Sequence, residues 1–231
     1  MLSAVHEDPA ATSGHRFPRA LRGFRPAGLA AILVILAGSL VTVPLGAVLV
    51  FVWALLSRTP WRDLGFVRPR SWMASLAVGL VAGAAFKLVM KAVVMPLLGA
   101  PPLNQAYRHL VGNTAALPGI LLAVVVGAGL GEETVFRGYL FERLGKLLGS
   151  ARWSRAIVVL FTSALFAAAH YAHQGVPGVQ QAAVTGLAFG TAFAVSGQLW
   201  PVIFAHISFD ITAVAIIYWD LETKVAHLVF T

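Results

Sequence analysis

A handful of ionisable side chains lie where the surrounding sequence is hydrocarbon-like. Glu132, Glu133 and Arg137 sit in one apolar stretch, with Leu-Ala-Val-Val-Val-Gly before them and Gly-Tyr-Leu-Phe after. His170 and His173 lie near the end of a second stretch, and His206 and Asp210 in the first half of the last. Charge in hydrocarbon is costly and usually marks function. Carboxylates and imidazoles are the groups that take and return protons, so proton-transfer chemistry at membrane depth is what these residue types would support.

Helical spacing orients the set. Glu133 and Arg137 are i and i+4 with the glutamate N-terminal, the favourable order for an ion pair, while Glu132 points about 100° away. His206 and Asp210 share a face at the same spacing, as do Phe166 and His170. At about 1.5 Å per residue, Glu132 lies about 12 Å from the basic end of its helix, His206 about 9 Å, Asp210 about 15 Å and His170 about 20 Å. Three helices thus bring ionisable groups to overlapping depths, where they can meet in one cavity. The bland alternative is a buried ion-pair network that only fixes helix register; it accounts for Glu133 with Arg137 but leaves Glu132, His170 and the His206–Asp210 pair without a purpose. His173 reads as a boundary residue meeting water. Lys87 and Lys91 form another i, i+4 pair. Lys91 is expected to snorkel to the interface, and Lys87 to do the same unless it pairs with a site carboxylate or holds a substrate carboxylate. Ser163, Ser196 and Ser208 are expected to cap or bridge helices.

The elements that must position these groups follow from composition. Of 231 residues 58% are hydrophobic and 11% charged, and the mean hydropathy is +0.81. This is the composition of an integral membrane protein. Apolar runs at 27–57, 72–98, 117–140, 156–172, 179–199 and 201–219 are continuous rather than alternating, which excludes barrel strands. The expected fold is an all-α, polytopic transmembrane bundle of about six to seven spans. Residues 1–26 read as a basic, disordered tail without apolar periodicity, 27–220 as a single transmembrane helical domain, and 221–231 as a short C-terminal tail. The run 27–57 is too long for a secretory h-region and too short for two full spans. It is either one helix kinked near Pro44 or a segment that dips in and returns. Gly79/Gly83, Gly127/Gly131 and Gly186/Gly190 have the small-xxx-small spacing of close helix contacts. Arginines and lysines concentrate at 58–70 and 142–155, which places that face in the cytoplasm. The net charge of +8 suits anionic lipid headgroups, and no aromatic-basic surface suggests nucleic acid. Without cysteine, disulfides, thiolate metal sites and a cysteine nucleophile are excluded.

Glu-Glu-Thr-Val-Phe-Arg fits EExxxR, Phe-Ala-Ala-Ala-His ending at His170 fits FxxxH, and His-Ile-Ser-Phe-Asp from His206 fits HxxxN/D. In this order the three motifs resemble the CAAX protease and bacteriocin-processing (CPBP, or Abi) family of intramembrane endopeptidases. The likeness extends over about residues 60–215 and includes Trp-Arg-Asp-Leu-Gly-Phe and Ser-Gly-Gln-Leu-Trp-Pro. It implies that 27–220 is a protease-like domain and that it hydrolyses a peptide bond at the cytoplasmic leaflet in a peptide or membrane-protein substrate, with a C-terminal tail as one candidate. It also implies a site opening to the cytoplasm. In those terms Glu132 with His170 activates water, and His206 with Asp210 stabilises the oxyanion. Glu133 and Arg137 hold the helix, and Phe166 shapes the wall. Many relatives have Asn where this chain has Asp210, so that carboxyl must be protonated, hold His206 as an imidazolium, or bind a metal. A metal-free mechanism is favoured because no His-Glu-x-x-His pair is present; the second version has Glu132, His170 and His206 binding a divalent ion such as zinc. The rival classes are a membrane immunity or scaffold protein with a structural polar network, and a proton-coupled transporter, for which no internal repeat is found.

Overall fold

Thr42 and Pro44 decide how the first apolar run folds. Thr42 is extended (φ −153°, ψ 142°) and its side chain accepts a hydrogen bond from the Leu45 amide, while Pro44 occupies the first turn of the next helix, where its missing N–H costs nothing. Helices α2 (Pro26–Val41) and α3 (Val43–Ser57) therefore fold back on each other, with Ser39 against Gly46 and Gly38 against Leu49. Of the two expectations for this run, it is the segment that dips in and returns. Each leg, of 16 and 15 residues, spans about 23 Å, short of the hydrocarbon thickness.

The computed structural model describes residues 16–149 and 151–230. Among them there is no strand, and the longer elements are α1 (Arg16–Arg22), the α2/α3 hairpin, α4 (Trp72–Leu97), α5 (Thr114–Leu148), α6 (Arg152–Ala169), α7 (Tyr171–Ser196), α8 (Leu199–Tyr218) and α9 (Glu222–Ala226). The all-helical membrane fold is as expected. Among the described residues four helices, α4, α5, α6 and α8, are long and apolar enough to cross a membrane, and a fifth if the bent pair α1 and α2 is one span. That is fewer than the six to seven expected. The hairpin divides one apolar run into two short helices, and α7 is broken at Gly175 (φ 62°) and carries Gln174, Gln180 and Gln181.

Part of the expected basic tail is folded. The indole of Trp53 donates to the Leu21 carbonyl and Arg143 donates to the Arg22 carbonyl at 2.7 Å, so α1 docks against α3 and the end of α5. Residues 1–15 lie outside the described residues. The C-terminal segment is also anchored, because the carboxylate of Glu222 is buried. These contacts sort the charges. Segments 16–25, 58–70 and 142–149 share one end of the bundle, while residues 99–116 meet Tyr218 and Glu222 at the other through Gly112 N to Tyr218 O and Asn104 N to Glu222.

Small residues set the helix spacing. A Cβ on Gly79 would stand 2.5 Å from the Phe204 Cβ, and one on Gly83 2.0 Å from the Ala205 carbonyl oxygen, so α4 and α8 touch backbone to backbone. Gly186 packs against Ser163 in the same way, bringing α7 onto α6. Gly127 has nothing within 4 Å and contributes no such contact. Ser208 donates to the Leu80 carbonyl and bridges α4 to α8, and the Ser196 hydroxyl caps the turn at Gln198.

Candidate active site

The middle of α5 is wound wider than an α-helix, with i→i+5 hydrogen bonding over Ala123–Tyr139. Such windings recur at functional sites because they turn side chains out of α-helical register. Here they present adjacent glutamates to different partners. Glu133 is fully buried, and its Oε1 accepts from Arg137 Nη1 at 2.9 Å and from His206 Nδ1 at 2.7 Å. Arg137 is also buried, its guanidinium stacked 4.5 Å from the Phe166 ring centre. Glu132, in contrast, retains 14% side-chain exposure, and its Oε2 makes no hydrogen bond to any described group.

The imidazoles are oriented by what holds their other nitrogen. His170 Nδ1 lies 2.8 Å from the Phe166 carbonyl oxygen, which can only accept, so Nδ1 carries the proton and Nε2 is the free nitrogen. His206 Nδ1 donates to Glu133 in turn. Its Nε2 lies 3.8 Å from Glu132 Oε2 and 3.6 Å from Asp210 Oδ2, so three carboxylates surround one ring. Phe166 and Phe189 pack against it at 6.1 and 5.2 Å between ring centres. Asp210 therefore faces His206.

Glu132, His170, His206, Asp210 and Phe166 all line one cavity of about 130 Å³, large enough for several waters. Glu133 and Arg137 stand behind it. The lining follows α5 from Glu132 through Ala128 and Val124 to Ile120, and α8 from His206 through Asp210 and Ala213 to Ile217. It ends under Asn104, Tyr107 and Leu110, at the end of the bundle away from the basic segments. His173 is exposed and outside the lining. Among the described residues no three His, Asp or Glu side chains converge on a position that would hold a metal ion. The Nδ1 atoms of His170 and His206 are held by the Phe166 carbonyl and by Glu133, the arrangement in which their Nε2 atoms would be the ones to face a divalent ion beside Glu132.

Several lining residues carried little or no sequence signal. Tyr107 comes from a loop without periodicity; its hydroxyl accepts from Gln174 Nε2 at 3.4 Å. Burial, then the charges of Asp210 and Glu132, raise the Tyr107 pKa above its ordinary value, so the phenol keeps its proton at neutral pH. Gln174 and Gln181 lie on either side of the break at Gly175, so helical periodicity could not have aligned them. Both lysines of α4 depart from the snorkelling expected of them. Lys91 donates to the Pro102 carbonyl and pairs with Glu222 Oε1 at 3.0 Å. Lys87 is buried, donates to Gln181 Oε1 at 2.8 Å and sits 4.7 Å from the Phe209 ring centre. Contacts with α7 and α8 turn the Lys87 ammonium inward, and Pro102 and Glu222 of α9 hold that of Lys91.

Comparison with curated proteins and with solved structures returned no match. Residues 114–212, under half of the chain, contain every expected site residue and match the family model described as Type II CAAX prenyl endopeptidase Rce1-like, consistent with the CPBP family that the three motifs resemble.

Proposed function

We propose that the protein is an intramembrane endopeptidase that hydrolyses a peptide bond with a water activated by Glu132. The observation that carries this reading is the gathering of Glu132 from α5, His170 from the α6–α7 junction, and His206 and Asp210 from α8 around one cavity. Amide hydrolysis needs a base for water, charge stabilisation at the carbonyl oxygen and a proton for the leaving amine. Glu132 has an oxygen without a protein partner and takes the proton from water as the hydroxide adds to the carbonyl carbon. His170, with Nε2 free, orients that water. Because the Nδ1–H of His206 donates to Glu133, the ring donates to the oxyanion only when Nε2 is also protonated. Glu132 and Asp210 beside that nitrogen supply the counter-charge an imidazolium needs. When the tetrahedral intermediate collapses, the C–N bond breaks and the proton held at Glu132 passes to the amine. Glu133, Arg137 and Phe166 hold the helix and ring in register. Substrates are peptides or membrane proteins, a C-terminal tail among them.

The resemblance implies a cytoplasmic mouth. The lining supports a different side: it runs toward residues 104–110, whereas the segments rich in arginine, which the positive-inside rule keeps in the cytoplasm, lie at the opposite end. Because the chain has no cysteine, single substitutions Gln105→Cys and Arg62→Cys report the side directly. In intact cells an impermeant maleimide should label the first and not the second; the reverse would place the mouth in the cytoplasm.

The reading that the polar network is only structural suits Glu133 and Arg137, which form a buried ion pair through Oε1 and Nη1. It does not explain Glu132, whose Oε2 faces the cavity side of His206 at 3.8 Å without a hydrogen bond. Purified protein in detergent, assayed on a quenched peptide library, should cleave with or without chelator and lose cleavage in Glu132→Gln at unchanged fold. Retained function in Glu132→Gln would favour the scaffold, and chelator-sensitive cleavage the metal mechanism.

A further inference from the structure

Next to the site cavity lies a larger one of about 260 Å³, walled by α4, α7, α8 and residues 100–105. The polar residues that line both are Lys87, Asn104, Gln174 and Gln181. Lys87 is the only charged group among them. Its side chain enters from α4, is 6% exposed, and has Gln181 Oε1 as its hydrogen-bond acceptor. Among the described residues no carboxylate stands within 4 Å of its Nζ. Asp210 lines the site cavity too, but its ion-pair contact is with His206. Lys91, one turn along, is the contrast: Glu222 and the Pro102 carbonyl neutralise and satisfy it.

A buried ammonium without a paired anion is unfavourable, and a fold keeps one where a ligand completes the charge. We infer that Lys87 is a specificity-determining residue that receives a carboxylate of the substrate peptide where the two cavities meet. The ligand is a monoanion, because Lys91 is already neutralised and one cation remains. Asn104, Gln174 and Gln181 beside it offer amide donors and acceptors to a peptide backbone passing from the site cavity into the larger one. A chain terminus and an acidic side chain present the same carboxylate chemistry. The Phe209 ring below Nζ excludes water from that side and strengthens the pairing.

This inference rests on the peptidase reading, and the experiment separates the two. Purified wild type, Lys87→Gln, Lys87→Arg and Glu132→Gln are assayed on one cleaved peptide made in matched forms: C-terminal acid, C-terminal amide, and amide with Glu or Gln at each position after the scissile bond. Wild type should favour one carboxylate form over its neutral partner by about 10–100-fold in kcat/KM, the size of a charge-assisted pair. Preference for the acid assigns the terminus; preference for Glu at one position assigns the side chain. Lys87→Gln should erase that ratio and Lys87→Arg should keep it. A wild type indifferent to all carboxylates, or a ratio intact in Lys87→Gln, overturns the inference while leaving the peptidase standing. If no form is cleaved, thermal shifts decide. Stabilisation by the acid peptide and not the amide, lost in Lys87→Gln, retains the carboxylate site without the peptidase, and equal shifts overturn it.

Discussion

Glu132 and Glu133 are neighbours with the same chemistry, and the structure assigns them opposite responses to the same substitution. Glu133→Gln removes the charge that faces two buried donors, Arg137 at 2.9 Å and His206 at 2.7 Å. The amide oxygen can still accept, but Arg137, with 1% side-chain exposure, then lacks a counter-charge. Stranding one member of a buried ion pair costs about 3–5 kcal/mol. At about 2–4 °C per kcal/mol for a chain of this size, the melting temperature should fall by about 6–20 °C. Glu132→Gln removes no hydrogen bond from Oε2 and should move the melting temperature by less than about 2 °C, within the range of substitutions that break no network. Thermal unfolding of both variants in the same detergent, followed by tryptophan fluorescence, makes the comparison. Glu133→Gln combined with Arg137→Met removes both charges and should recover part of the loss, because the desolvation of an unpaired guanidinium disappears. Equal melting temperatures for the two single variants would refute the buried triad, and with it the account of how His206 is oriented.

Two further outcomes follow from packing. Gly83→Ala puts a methyl 2.0 Å from the Ala205 carbonyl oxygen and should destabilise by about 1–3 kcal/mol, whereas Gly127→Ala, with nothing within 4 Å, should be neutral or slightly stabilising because alanine is the better helix former. Melting temperatures of the pair test the α4–α8 contact. Glu222→Gln weakens the latch in which Glu222 accepts from Asn104 N at 2.9 Å and pairs with Lys91 at 3.0 Å. Faster amide exchange confined to residues 99–112 is the expected result, and unchanged exchange there would show that this segment is held by other contacts.

The sequence by itself determined which residues are capable of chemistry and much of their local geometry. A charged group inside an apolar run is conspicuous, and helical periodicity alone pairs Glu133 with Arg137 and aligns Phe166 with His170. Continuous apolarity likewise determined an all-helical membrane protein. Periodicity gives a side chain's face on its own helix but not the rotation of that helix against its neighbours. That rotation comes from contacts between distant segments, such as Gly79 and Gly83 on the backbone of α8. So only the tertiary structure decided that Glu133 also holds His206, 73 residues away, that Lys87 turns inward instead of toward lipid, and that Tyr107 and Asn104 roof the cavity. The return of the first apolar run was also decided by packing. Thr42 and Pro44 permit either a kink or a reversal, and the contacts of Gly38 with Leu49 and of Ser39 with Gly46 select the reversal.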